Sequence, residues 1–191
     1  MTFIFPIFAI TACHDAFPGQ RSVRHPACIW TQRAMKIKEL NIRYSEYEDI
    51  SGLSSGDRLL VEEAVKSTAN SYAPYSGFHV GAALRLSNGE IVTGSNQENA
   101  AYPSGLCAER TAMFYASARY PDAAMEAIAI AASQNGELCS LPASPCGACR
   151  QVMAQYQRKS GQEMKIILAG KEKILVFDKV EDIMPFVFDN I

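Results

Sequence analysis

The chain has 191 residues, of which 48% are hydrophobic and 20% charged, so it can bury the core of one ordinary domain and shows no bias typical of disorder. Its formal net charge of −2 at pH 7 supplies no basic surface for a phosphate backbone, which argues against DNA or RNA as the main partner. Six cysteines in a chain of this length are too few for a disulfide scaffold.

The first 34 residues differ in composition from the rest. They contain no Lys and no Glu, and Asp15 is their one acid. An apolar run over residues 2–11 before Cys13 faintly resembles a lipoprotein signal, and the arginines allow a transit peptide. The run lacks a basic start and is too short to span a bilayer, and serine is scarce. We therefore predict that residues 1–34 are an extension, disordered or upstream of a natural start at Met35, and that residues 35–191 form the domain.

From Met35 onward, helical and strand patterns alternate. Ser54 or Ser55 can cap the first helix, and Asn88-Gly89 predicts a hairpin between two strands. The predicted helices lie at 57–70, 107–118 and from Pro145-Cys146 to 157, with a short one near Val180, and the predicted strands at 80–86, 90–94, 127–132, 165–169 and 174–177. This alternation predicts an α/β fold in which helices cover one sheet in three layers.

Cysteines stand at the start of two predicted helices. Cys107 opens one of them, and Cys146 and Cys149 open the other. The free N–H groups and the positive dipole end of a helix start stabilise a thiolate, which is the form that binds zinc. Three protein ligands leave the fourth tetrahedral position to water, which is typical of a catalytic zinc site.

Glu109 follows Cys107 by two residues and can point into the same cavity without reaching the ion. Zinc activates a bound water, and a nearby carboxylate can pass the proton of that water to a ring nitrogen and a leaving amine. The layout suits attack on an amidine-like carbon with loss of ammonia.

Taken alone, Cys146-x-x-Cys149 also fits a structural zinc knuckle or a redox pair. A structural site needs a fourth protein ligand. After residue 34 that ligand would have to be His79 or Cys139, and neither has knuckle spacing. Cys107 together with Glu109 favours the catalytic interpretation.

Residues 71–155 resemble the cytidine deaminase family, specifically its small homotetrameric branch. The resemblance weakens toward residues 184–188 and does not cover residues 1–34. Four motifs carry it: YAPYSGF at 72–78, NQENAAY at 96–102, CAERTA at 107–112 and SPCGACRQ at 144–151. Gln97 and Gly77 depart from the residues more usual at those positions, and either could retune the mouth of the pocket.

The resemblance implies a three-layer α/β/α sandwich around one mixed five-stranded sheet. It implies hydrolytic deamination of cytidine and deoxycytidine in cytoplasmic pyrimidine salvage, with one Zn²⁺ per chain. The expected assembly is a homotetramer with shared active sites, and neither a nucleic acid nor a membrane is expected as a partner.

The resemblance also assigns roles to individual residues. The implied zinc ligands are Cys107, Cys146 and Cys149, the implied proton shuttle is Glu109, which also binds the pyrimidine edge, and the implied substrate contacts are Phe78 at the base, Asn96 and Glu98 at the ribose, Ala108, and Tyr102 and Phe188 in a neighbouring subunit's pocket. Arg110 would donate to the thiolates and offset their charge.

Purely structural roles for these side chains stay open at this point. Phe78 can be a core residue, Asn96 and Glu98 can simply shape a turn, and Arg110 can form a surface ion pair. Three other functions also remain: deamination of a cytosine-containing antibiotic nucleoside, editing of a polynucleotide, and a catalytically silent zinc-stabilised partner protein. The Asn96–Glu98 pair favours a nucleoside, the missing basic surface disfavours a polynucleotide, and Glu109 disfavours the silent protein.

Overall fold

The computed structural model describes residues 35–189, and the predicted extension over residues 1–34 lies outside this range. The three α-helices are α1 (Ser55–Ser67), α2 (Ala108–Arg119) and α3 (Gly147–Ser160). The seven strands are β1 (Ser45–Tyr47), β2 (Phe78–Leu86), β3 (Ile91–Ser95), β4 (Met125–Gln134), β5 (Glu137–Leu138), β6 (Lys165–Ala169) and β7 (Ile174–Phe177). In the described range, no helix is long and apolar enough to cross a membrane.

One mixed sheet organises the chain, with the strand order β1-β7-β6-β4-β2-β3 and β5 paired with β4. The only parallel pair in the described residues is β4 with β6, and α3 connects these two strands. The α/β prediction is confirmed, but the count of five strands is wrong, because β1 and β5 add two short strands. The predicted terminal helix near Val180 is a single 3₁₀ turn.

The two faces of the sheet carry different side chains. The alanines at 127, 129 and 131 of β4 face α1, whereas Ile128 and Ile130 face α2 and α3. Small residues on the α1 side let that helix approach the strands closely, and the branched residues fill the wider space on the other side. The result is the expected three-layer α/β/α sandwich.

A partly buried ion cluster ties α1 to the sheet. Asp57, in the first turn of α1, is 6% exposed. Arg85 of β2 donates from both terminal nitrogens to its Oδ1 at 3.1 Å, and Nζ of Lys165 in β6 lies 2.9 Å from its Oδ2. Burial raises the pKa of this carboxyl, but hydrogen bonds from Lys165, Ser54 and Arg85 outweigh burial, so the pKa is lowered overall.

We expect Asp57→Asn to lower the free energy of unfolding at pH 7 by about 2 kcal/mol, because Arg85 and Lys165 lose their carboxylate while keeping some contact with water. Folding lowers the pKa of Asp57, so its contribution is complete above the unfolded-state pKa of about 3.9 and is lost as the pH falls through the folded-state pKa. Urea unfolding from pH 7 down to about pH 3 should show the difference between variant and wild type shrinking.

Glu63→Gln on the same helix is the matched control. Glu63 pairs with Lys66 at 2.6 Å on the surface, and its loss should cost less than about 0.5 kcal/mol. A difference for Asp57→Asn that stays constant with pH would contradict the assignment of the cluster.

Gly94 of β3 sets the position of α2. A Cβ at Gly94 would lie 2.5 Å from the nitrogen of Ala112 and 2.6 Å from the oxygen of Ala108, so only glycine allows this approach. The first turns of α2 are thereby held close to the sheet, where Gly94 of β3 pairs with Ala82 of β2.

Candidate active site

Two helix starts bring three free thiols together. Cys107 is the N-cap residue of α2 and Cys146 that of α3, and Cys149 lies in the first turn of α3. The Sγ atoms of Cys107 and Cys146 are 3.9 Å apart, those of Cys146 and Cys149 are 3.5 Å apart, and all three lie within 4.8 Å of one another. The three cysteines singled out in the sequence therefore form one cluster.

The cluster fits a zinc ion in donor type and in spacing. A tetrahedral zinc with Zn–S bonds of about 2.3 Å needs sulfurs roughly 3.8 Å apart, and the two measured separations bracket that value. Cys149 is buried and Cys146 is exposed, so the cluster has a closed inner side and an outer side open to solvent. The described residues place no fourth His, Cys, Asp or Glu ligand in the cluster, which leaves one position for water.

Arg110 supplies a positive charge beside this cluster. Its terminal nitrogen donates to Sγ of Cys107 at 3.6 Å. The neighbouring Cys149 thiol, followed by the Arg110 guanidinium, lowers the pKa of Cys107 to about 5. Proximity to Cys107, together with burial, raises the pKa of Cys149. The guanidinium therefore favours the thiolate form of the sulfur that it contacts.

Glu109 is only 4% exposed, although it is charged in its ordinary state. Burial raises its pKa, and the neighbouring Cys107 sulfur raises it further. A buried carboxyl of this kind holds a proton more readily than a solvated one, which suits a group that must both accept and release protons.

A cavity of about 440 Å³ opens in front of the cluster, within the range of about 300–1,000 Å³ that is usual for small-molecule sites. The predicted site residues that line it are Phe78, Asn96, Glu98, Tyr102, Cys107, Glu109, Arg110 and Cys146. The structure therefore brings eight of the residues named from the sequence to one concave surface.

The side chains of Asn96 and Glu98 each form hydrogen bonds with main-chain groups. Oδ1 of Asn96 accepts the N–H of Val80 at 2.7 Å, and its Nδ2 donates to the carbonyl of Phe78 at 2.9 Å. Oε2 of Glu98 accepts the N–H of Tyr75 at 2.9 Å. The amide keeps a second N–H and the carboxylate keeps free lone pairs, so both side chains can still bond a ligand hydroxyl.

Two of the predicted substrate contacts lie elsewhere in this chain. Ala108 is fully buried and does not line the cavity. Phe188 is 70% exposed and borders a different cavity, on the outer side of α3. A role for Phe188 in a neighbouring subunit's pocket stays a prediction, as does a substrate contact for Ala108.

Arg150 is a residue of the site region to which the sequence interpretation gave no role. Its Nε donates to the carbonyl of Pro145, which precedes Cys146, and its NH1 donates to the carbonyl of Ile183, both at 2.8 Å. It thus fixes the approach to the second helix start. The one sequence signal for this role was the position of Arg150 directly after Cys149. The main-chain carbonyls that accept its hydrogen bonds cannot be recognised from the sequence.

Comparison with known proteins agrees with this geometry. A family model described as the cytidine and deoxycytidylate deaminase zinc-binding region matches residues 54–161. A cytidine deaminase of Halalkalibacterium halodurans is 37% identical over 131 residues, covering 69% of this chain and 92% of that protein. A cytidine deaminase of Sporosarcina psychrophila is 45% identical over 131 residues, covering 69% and 90%. The crystal structure of cytidine deaminase from Burkholderia pseudomallei is similar with a TM-score of 0.60 and 36% identity, covering 71% of this chain and 100% of that one.

Proposed function

Because the chain belongs to the cytidine deaminase family and is a zinc-dependent hydrolytic deaminase, we propose that it converts cytidine and deoxycytidine to uridine and deoxyuridine with release of ammonia. The observation that carries the proposal is a cluster of three thiols beside a buried carboxyl, Glu109, at one cavity. In the reaction the oxygen of water bonds to C4 of the cytosine ring, and the bond from C4 to the exocyclic nitrogen breaks.

We assign the metal to Cys107, Cys146 and Cys149. When bound, zinc lowers the pKa of a water molecule to about 7 and so supplies a nucleophile near neutral pH. Three thiolates around Zn²⁺ leave a net charge of −1, and Arg110 offsets that charge through its contact with Cys107.

Glu109 moves the protons. Its carboxylate takes one proton from water and delivers it to ring nitrogen N3. It then takes the second proton from the new hydroxyl on C4 and passes it to the amine, which leaves as ammonia while C4 becomes a carbonyl. Its burial in the cavity wall keeps bulk water from taking over these transfers.

The remaining cavity residues hold the nucleoside. Phe78 offers a ring face to the base, and Asn96 and Glu98 hydrogen-bond the ribose hydroxyl. Their anchoring by the main chain of β2 and of the turn at 75–76 supports this assignment, because a fixed side chain loses little entropy when it binds a ligand.

An ultraviolet assay of the purified chain, combined with zinc analysis, tests the proposal. We expect one zinc per chain and loss of the cytosine absorbance with cytidine and deoxycytidine. Free cytosine is the matched control, since it lacks the sugar that Asn96 and Glu98 would hold, and it should react far more slowly. Bound zinc without turnover of either nucleoside would contradict the proposed substrate and would favour an antibiotic nucleoside or a silent protein.

The proposed assembly is a homotetramer in which Phe188, together with Tyr102 at the border of this chain's own cavity, reaches a neighbouring subunit's pocket. Both rings are largely uncovered in the single chain, with 77% and 70% exposed, which supports a partner surface at these positions. Sedimentation at assay concentration measures the mass, and a monomer with full activity would contradict shared sites. The proposed setting is pyrimidine salvage in the cytoplasm, where reducing conditions keep the three thiols available to the metal.

Removing residues 1–34 should leave turnover of cytidine within about twofold of the full chain, because the proposed domain spans residues 35–191 and contains the whole site. Steady-state assays of the two chains side by side measure this. An insoluble or inactive shortened chain would show that the extension belongs to the domain.

A further inference from the structure

The C-terminal strap, defined as residues 180–189, is held along α3 by side chains of that helix. Oε1 of Gln157 accepts the N–H of Val180 at 3.1 Å. Arg158 pairs with the carboxylate of Asp189 at 3.2 Å. Because these contacts lie at both ends of the strap, its path along the helix is defined rather than free.

Gln151 makes two hydrogen bonds to the end of the strap. Its Nε2 donates to the carbonyl of Phe188 at 2.7 Å, and its Oε1 accepts the N–H of Phe188 at 3.1 Å. A primary amide thus bonds both the N–H and the C=O of one residue, as a neighbouring strand would. Both main-chain polar groups of Phe188 are thereby fixed, while its ring is left 70% exposed.

We propose that Gln151 is a positioning residue of the deaminase, which holds the main chain of Phe188 so that the exposed ring closes the substrate pocket of a second copy of this chain. The inference rests on the function proposed above for Phe188. The main chain of Phe188 is fixed by hydrogen bonds while its ring stays exposed. A ring that packed in this chain's own core would be buried, so the exposed ring suits contact with another copy.

The position of Gln151 also connects the strap with the metal site. Gln151 lies two residues after Cys149, and Arg150 between them bonds both Pro145 and the strap at Ile183. One helical turn therefore carries a metal ligand and two anchors of the strap. In each copy, the helical turn that carries the metal ligand therefore also positions the Phe188 ring that the other copy would use.

Replacing Gln151 with Ala removes both hydrogen bonds to Phe188 and leaves Arg158, through Asp189, as the remaining anchor at the end of the strap. We expect KM for cytidine to rise about tenfold with kcat within about twofold, because the ring contributes to binding and not to proton transfer. Zinc should stay at one per chain. In a Phe188→Ala background, Gln151→Ala should change KM no further, because the two changes remove the same contact.

A second readout does not depend on turnover. Hydrogen exchange of the zinc-loaded full chain, followed by mass spectrometry of the peptide that contains Phe188, should be about tenfold faster in Gln151→Ala. Gln155→Ala is the matched control, since this exposed glutamine lies one turn further on α3 and makes no side-chain hydrogen bond with the described residues. It should leave both exchange and KM unchanged.

Wild-type exchange in Gln151→Ala would overturn the proposal, as would additive KM effects of Gln151→Ala and Phe188→Ala. A wild-type KM in Phe188→Ala would overturn the function proposed for the ring and with it the inference. If exchange were still faster in Gln151→Ala, the anchoring of Phe188 by Gln151 would stand and only the function proposed for the ring would be wrong. The two failures are therefore distinguishable.

Discussion

Glu109→Gln should lower kcat for cytidine by about 10²- to 10⁴-fold while the protein keeps its zinc and its fold. The amide has nearly the same volume as the carboxyl, so the buried position stays filled. It cannot accept a proton from water or deliver one to the ring nitrogen. Because Glu109 is 4% exposed, solvent cannot easily replace it as the proton carrier. Steady-state assays, zinc analysis and thermal unfolding of the same preparation measure the three properties together.

Glu98→Gln provides the matched control for this result, because it removes the other carboxylate of the same cavity. Its carboxylate accepts main-chain N–H groups of the turn at 75–76 and is proposed to bind ribose, so the variant should mainly raise KM. Activity near wild type in Glu109→Gln would contradict the assigned role. Loss of zinc in that variant would mean that the carboxyl supports the metal site instead.

The metal cluster could be predicted from the sequence because each of its two parts depends on residues that are close together in the chain. Helix starts at Cys107 and Cys146 follow from patterns a few residues long, and a spacing of three places Cys149 on the same face as Cys146. Only the proximity of the two helix starts is decided by tertiary packing. It depends on Gly94, whose lack of a side chain lets α2 lie close to the sheet.

The missed strands are those whose own residues carry no strand pattern. β1 is Ser45–Tyr47, three residues with no apolar alternation, and its pairing is set by the exposed edge of β7. β5 has two residues and exists because the chain turns back on the end of β4. Such elements are decided by a partner strand, which a pattern along one short segment cannot reveal.

The anchoring of the site residues was likewise beyond sequence reasoning. The motif pointed to Asn96 as a ribose contact, but not to the use of both ends of its amide by the main chain of β2. Gln151 belongs to the motif at 144–151, but the motif does not reveal its partner, which is the backbone of Phe188, 37 positions away. Main-chain acceptors are the same at every residue and so leave no sequence signature.

Cys146→Ala should weaken zinc binding by at least about 100-fold, because a lost ligand costs more than a lost outer partner, which alone costs about 10- to 100-fold. Cys146 is exposed, so its truncation leaves no cavity in the core and tests the metal and not the fold. The purified variant should contain little zinc and show no measurable turnover. Chelator should lower the unfolding temperature of the wild type but not that of the variant, since ligand binding stabilises only a protein that binds it.

Cys139→Ala is the control that separates a lost ligand from a lost thiol. Cys139 is a half-buried free cysteine outside the cluster, so this variant should keep one zinc, full turnover and the response to chelator. Full zinc occupancy in Cys146→Ala would contradict the three-thiol assignment. A variant that keeps zinc but loses turnover would instead assign Cys146 to shaping the pocket, where its exposed side borders the cavity. Because Sγ of Cys146 lies within 3.9 Å of both other sulfurs, we expect the loss of the metal.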